Sequence, residues 1–173
     1  MEISVQSISS LKLKGKHASI FINPQDKTAA YNAAILIGTP AKSELKLSEE
    51  GVVIDGPGEY EAGGVKINGT KVDGMTVYSL TIDGVDIAVG EIAALEKMHQ
   101  KMKEHHVLIV YANASQSASF VTTIATHASI FYGAHGMEVI DTLAKEEKKV
   151  VAKYQITAEK LPAETETILL ASS

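Results

Sequence analysis

The sequence predicts an α/β fold in which two β-sheets pack together with helices outside them. Three observations carry this. Alternating apolar residues and tight-turn signals crowd the early part of the chain. From Glu91 onward, helical periodicity alternates with short apolar runs. After Ala152 the pattern returns to short strands. Many strands, then strand–helix alternation, then a β return fits layered sheets with outer helices better than an all-β or purely parallel doubly wound fold.

The elements follow in order. "KLKGKHASIFI" gives two alternating runs around Gly15-Lys16, a hairpin. "AAILIG" and "GVVID" are short buried strands. "GGVKINGT" alternates valine and isoleucine on one side. "MTVYSLTIDGVDIAVG" predicts two strands joined by Asp83-Gly84, a dipeptide favoured in tight hairpin turns. A helix is expected over 91–106, with Ile92, Leu95, Met98 and Met102 on one face and His105-His106 at its end. "VLIVYA" is an apolar strand and "SQSASFVTTIATHA" a helix capped by Ser115. "SIFYG" is a further strand and "MEVIDTLAKEEKK" a last helix. Two strands flank Leu161-Pro162 near the end.

Composition narrows the function. The 173 residues predict one domain over 1–173, with 45% hydrophobic and 21% charged residues, an ordinary soluble balance. There is no cysteine, so thiolate zinc sites, disulfides and cysteine nucleophiles are excluded together. Net charge is −5, and all 16 basic residues are lysine. Without the arginine fork or a dense basic stripe, no nucleic-acid partner is expected. No apolar run approaches about 18 residues, so no membrane span is expected. "MEISVQSISS" has neither the basic start nor the apolar run of a leader, and the expected location is the cytoplasm.

The most particular stretch is "GVVIDGPGEYEAGGVKI". A strand runs into Gly56-Pro57-Gly58, then Glu59, Tyr60 and Glu61, then Gly63-Gly64 and another strand. Glycines serve backbone conformations closed to other residues and proline fixes the turn. It opens a strand rather than a helix and lacks a lysine-serine ending, so it is no phosphate cradle. Glu59 and Glu61, two apart on an extended segment, share a face. Elsewhere, Ser115, Ser117 and Ser119 precede His127, but no Gly-x-Ser-x-Gly elbow accompanies them and no catalytic residue is assigned.

These pieces resemble the metallo-β-lactamase superfamily, in particular its small metal-dependent hydrolase-like branch. "KGKHASIFINP" is similar to the first strands of that family, with Asn23-Pro24 where an Asp-Pro is usual. "GPGEYEAGGVKINGT" matches a turn and strand of the branch, "VYSLTIDGVDIAVGE" its strand pair ending in Gly-Asp, and "ASIFYGAHG" the strand before its last active-site histidine. "YQITAEKLPAETETILLA" looks like its C-terminal strand pair. The resemblance implies an αββα sandwich of two mixed β-sheets with helices packed outside.

It also implies a metal site, held by a His-x-His-x-Asp-His loop after a buried strand, a later carboxylate and further histidines. Here the loop reads "GTPAKSEL", and Thr39, Ala41, Ser43 and Glu44 stand where His, His, Asp and His would. Glu91 replaces the Asp of Gly-Asp, and His135 matches the last histidine. Glu44, Glu91 and His135 are thus the surviving candidate metal ligands. The expectation is a non-catalytic relative of these hydrolases, used for binding or self-association, with no cofactor. The alternative is a metal-dependent hydrolase, phosphoesterase- or lactonase-like, holding a single zinc or manganese on those three residues. A homo-oligomer could form by strand pairing, with "VLIVYA" or "SIFYG" extending a sheet across a dimer.

Overall fold

In a computed structural model, which describes residues 1–25, 30–38, 51–145 and 147–172, the alternating runs become fourteen strands in two mixed sheets. The first sheet is built from β1 (Glu2–Ser7), β2 (Ser10–Lys14), β3 (Ser19–Ile22), β4 (Ala33–Ile35), β5 (Val52–Ile54) and the late β13 (Lys153–Gln155). Its order is β13-β1-β2-β3-β4-β5. The second holds β6 (Gly58–Ala62), β7 (Val65–Val72), β8 (Met75–Ile82), β9 (Val85–Glu91), β10 (Val107–Tyr111), β11 (Ala128–Tyr132), β12 (Lys149–Val151) and β14 (Glu166–Leu170). It runs β12-β14-β11-β10-β9-β8-β7-β6.

Hairpins make the antiparallel halves. At the β8–β9 turn Asp83 and Gly84 both take positive φ, 52° and 76°, as a tight hairpin turn requires. The strands β9, β10, β11 and β14 are parallel, and they are apolar on both faces because both are covered. One face meets the first sheet through Ile3, Leu13, Ile20, Ile87, Ile109 and Ile130, all fully buried. The other is covered by α1 (Ile92–Met98) and α2 (Gly136–Asp141) through Leu95, Leu108, Phe131, Val139 and Ile140.

Several sequence expectations are corrected. The helix expected over 91–106 is α helical only to Met98, tightens into a 3₁₀ turn at His99–Lys101, and ends there. The chain must reach the start of β10, where His106 Nδ1 accepts a hydrogen bond from the Asp86 backbone N–H at 3.0 Å. His105-His106 therefore does not close a helix. The stretch from Ser115 forms only a 3₁₀ turn, Ser119–Thr123. It is rich in β-branched residues, and the Thr122 and Thr123 hydroxyls donate to the carbonyls of Ser119 and Phe120 three residues back. Ser115 caps nothing; its hydroxyl donates to Glu138. The strands of "VLIVYA" and "SIFYG", β10 and β11, are paired on both sides, so neither can extend the sheet to a partner. β1 and β12 went unrecognised in the sequence.

A polar link joins the late strands of the two sheets. Tyr154 on β13 donates to Glu166 Oε2 on β14 at 2.7 Å, and Lys149 on β12 pairs with the same carboxylate. The Lys149 ammonium, helped by Tyr154, holds the Glu166 carboxyl below its usual range against the opposing effect of burial. A lowered folded-state value means the stabilisation is present above the unfolded pKa of about 4.3 and is lost as pH falls through the folded value. Glu166→Gln is expected to cost about 1 kcal/mol at neutral pH, or about 2–4 °C in melting temperature. In thermal melts the gap between wild type and variant should close below pH 4.3 or so. A gap that persists unchanged at pH 3 contradicts the assignment.

Candidate functional site

The carboxyl ends of the parallel strands bring together what the chain keeps far apart. Glu91 ends β9, Tyr111 ends β10 and Tyr132 ends β11, and Tyr111 is the direct cross-strand partner of both others. Equal register in parallel strands sends the three side chains to one face, the face between the sheets, where Tyr132 joins the core and Tyr111 packs against it. The two phenol rings stack with centroids 4.9 Å apart and planes 21° from parallel.

Glu91 is 9% exposed, a rare degree of burial for a carboxylate. Its Oε1 accepts a hydrogen bond from Asn113 Nδ2 at 3.0 Å. Gly38, arriving from the other sheet with φ +70°, closes over it: a Cβ there would lie 2.3 Å from Glu91 Oε1. The approach of Gly38 is set by Asn23, whose side-chain amide exchanges two 2.8 Å hydrogen bonds with the Ile37 backbone. Asn23 thus has an architectural task, as an extra rung beside β4. Among the described residues no lysine or histidine pairs with Glu91.

Burial first, and then the negative field of Glu91, raises the pKa of Tyr111. Burial likewise raises that of Tyr132, with Tyr111 and Glu91 adding to it. Both phenols are therefore held protonated. The Tyr132 hydroxyl is sealed from solvent and has no hydrogen-bond partner among the described residues.

His135 lies just beyond β11, with its backbone N–H on the Ala112 carbonyl at 3.1 Å. Its ring Nδ1 faces Glu138 Oε2 at 3.1 Å, and Ser115 donates to the other oxygen of Glu138. Those two contacts hold the Glu138 carboxyl below its usual range, Ser115 contributing first. Glu44 lies outside the described residues. Among those described, no group of three or more His, Cys, Asp or Glu side chains is arranged to share an ion. A catalytic zinc takes three protein ligands and an open position. The described donors do not provide that set.

The other sequence candidates have separate occupations. His127 Nδ1 lies 2.8 Å from the Pro162 carbonyl and its ring sits 5.9 Å from that of His106. With Nδ1 of His106 accepting from a backbone N–H, its neutral ring carries the proton on Nε2 and cannot offer that nitrogen to a metal. Glu59 and Glu61 are exposed on the edge strand β6. The Gly-Pro-Gly turn is pinned by two phenols. Tyr78 accepts the Gly56 N–H at 2.8 Å, and Tyr60 donates to the Gly56 carbonyl at 3.0 Å. The turn rests on Gly69, where a Cβ would meet the Gly56 carbonyl oxygen at 2.9 Å.

Sequence reasoning missed Asn113, Tyr111, Tyr132 and Gly38. Both tyrosines end apolar strands, "VLIVY" and "SIFY", immediately before small residues. That position is the available signal, since ligands in α/β sheets gather outside the carboxyl ends of strands.

Two mixed sheets packed face to face, with the site at the carboxyl edge, define a metallo-β-lactamase-fold protein, and comparison with solved structures shows the same fold. A Thermotoga maritima protein of the metallo-β-lactamase superfamily, provisionally assigned as a zinc-dependent hydrolase, superposes with a TM-score of 0.70 at 16% identity, over 98% of each chain. A provisionally assigned metal-dependent hydrolase from Parabacteroides distasonis gives 0.61 at 14% identity, over 96% of this chain and 91% of that one. CmlA, a diiron β-hydroxylase from Streptomyces venezuelae, gives 0.52 at 7% identity, over 84% of this chain and 47% of that one. No protein-family model and no curated protein sequence matches the chain. No helix among the described residues is long and apolar enough to cross a membrane.

Proposed function

We propose that this protein is a non-hydrolytic relative of the metallo-β-lactamase-fold hydrolases that uses the carboxyl edge of its sheets for binding. The observation that carries the reading is the surroundings of Glu91. Its carboxylate is engaged by the Asn113 amide and roofed by Gly38, and it stands beside two protonated phenols rather than imidazoles. Amide and phenol groups are poor ligands for zinc, while the exposed Asn113 and the partly buried Tyr111 are hydrogen-bonding partners for a polar ligand. Elemental analysis of protein purified without added metal tests this. The expected result is far less than one zinc, manganese or iron per chain. A stoichiometric ion overturns it.

One observation favours a second reading, a reduced hydrolase site on Glu44, Glu91 and His135. The Nδ1 of His135 faces a carboxylate and its Nε2 has no hydrogen bond among the described residues, the orientation that metal-ligating histidines commonly have. Under that reading His135→Ala removes both bound metal and any phosphoesterase or lactonase activity. Metal content equal in variant and wild type ends it.

A further inference from the structure

We propose that the cleft between the Gly56-Pro57 turn and the β7–β8 hairpin binds a small zwitterion with an aliphatic body, the chemical class of a free α-amino acid. The proposal rests on the binding reading above and gives it a ligand class.

The cleft has a volume of about 230 Å³. That is below the roughly 300–1,000 Å³ of sites for drug-sized ligands. Its walls come from both sheets. Asp55 follows β5 of one sheet, and Lys71 stands on β7 of the other. Both charged groups are solvent-facing, and among the described residues neither has a hydrogen-bond or ion-pair partner. They form no ion pair with each other. The nearest acid in sequence, Asp73, is taken by Lys97.

The rest of the lining fits the same ligand. Leu36 and Ile37, buried just past β4, give the lining its apolar part, while Met75 at its edge packs toward the helix-side core. Thr76, the cross-strand partner of Lys71, also lines the cleft, its side chain hydrogen-bonded to Tyr78. The turn is held by Tyr78 and Tyr60, so that wall of the cleft is preformed.

Charge selects among ligand classes. A metal ion meets one carboxylate and a repelling ammonium. A phosphate meets one ammonium and a repelling carboxylate. A lone amine or a lone acid satisfies one wall and leaves the other unmatched. Only a ligand carrying both charges matches both walls, with its ammonium toward Asp55, its carboxylate toward Lys71 and its aliphatic part toward Leu36 and Ile37.

The test uses the protein as purified, with metal content measured on the same sample. Saturation-transfer NMR and calorimetry are run with glycine, L-alanine, L-valine and L-leucine, and with isobutylamine and isovalerate as single-charge analogues. An aliphatic amino acid is expected to bind, and each analogue about tenfold or more weakly, since each lacks one charge-assisted hydrogen bond. Asp55→Asn and Lys71→Gln should each weaken binding by a similar factor while leaving the circular dichroism spectrum and melting temperature unchanged. Absence of binding across the panel at millimolar concentration overturns the proposal. Equal binding of the analogues, or binding indifferent to both substitutions, also overturns it. Amino-acid binding by a sample that carries stoichiometric metal would defeat the non-hydrolytic reading and leave the cleft assignment standing. Metal-free protein that binds none of the panel does the reverse.

Discussion

Gly133→Ala is expected to lower the melting temperature by roughly 5–20 °C, the product of a loss of about 2–6 kcal/mol and the usual sensitivity for this chain length. Gly133 turns the chain out of β11, and its φ is +113°. That region is nearly closed to residues with a Cβ and costs about 1–3 kcal/mol to hold. Crowding adds to it. A Cβ would lie 2.6 Å from the Ala112 carbonyl oxygen and 3.0 Å from its carbon, both backbone atoms. Ala112 cannot easily retreat, because its N–H donates to the Tyr132 carbonyl at 2.7 Å and its carbonyl accepts from His135 at 3.1 Å. The overpacking term is about 1–3 kcal/mol. Thermal melts by circular dichroism check the result. A variant that melts within a degree of wild type shows that the turn is not held as described.

Tyr132→Phe should move stability in the opposite direction. The side chain is fully buried and its ring stacks on Tyr111, contacts that phenylalanine preserves. Among the described residues the hydroxyl has no partner and adds only an unsatisfied polar group to the core. Such a group costs about 1–3 kcal/mol, so its removal is expected to raise the melting temperature by roughly 2–10 °C. A fall in melting temperature would mean that the hydroxyl has a partner in solution. The same measurement on Tyr111→Phe provides a contrast, since Tyr111 is only partly buried and its hydroxyl is not an orphan of this kind.

These expectations touch residues that differ in how far the sequence exposed them. The hairpin at Asp83-Gly84 was legible because turn chemistry is local: two neighbouring residues with positive φ demand such a dipeptide. The buried strands Ala33–Ile35 and Val107–Tyr111 were legible because an apolar run of that length has few other uses. The helix expected over 91–106 was legible only in its first two turns. Ile92 and Leu95 are buried as the periodicity requires, while the later residues are drawn off by the need to start β10 beside β9. The turn Ser119–Thr123 shows the limit of a capping signal, since a serine start could not outweigh the β-branched residues that follow it.

The candidate site was legible in its endpoints and illegible in its company. Glu91 and His135 were found by position, and Gly56-Pro57-Gly58 by its unusual composition. Nothing in the local sequence set Asn113 against Glu91, or Gly38 above it, because those contacts join residues 22 and 53 positions apart from Glu91. The cleft between Asp55 and Lys71 was equally hidden, since each residue alone reads as an ordinary surface charge.

By itself, then, the sequence determined most of the strands, the Asp83-Gly84 turn and the two-sheet class, though not β1 or β12, since side-chain alternation and glycine conformation act over a few consecutive residues. It also determined the want of imidazole in the "GTPAKSEL" loop. The tertiary structure alone decided that Glu91, Tyr111 and Tyr132 stand side by side at one sheet edge. Parallel strands acquire their register from the core that packs on both faces, and that register is a property of the assembled sheets rather than of any segment.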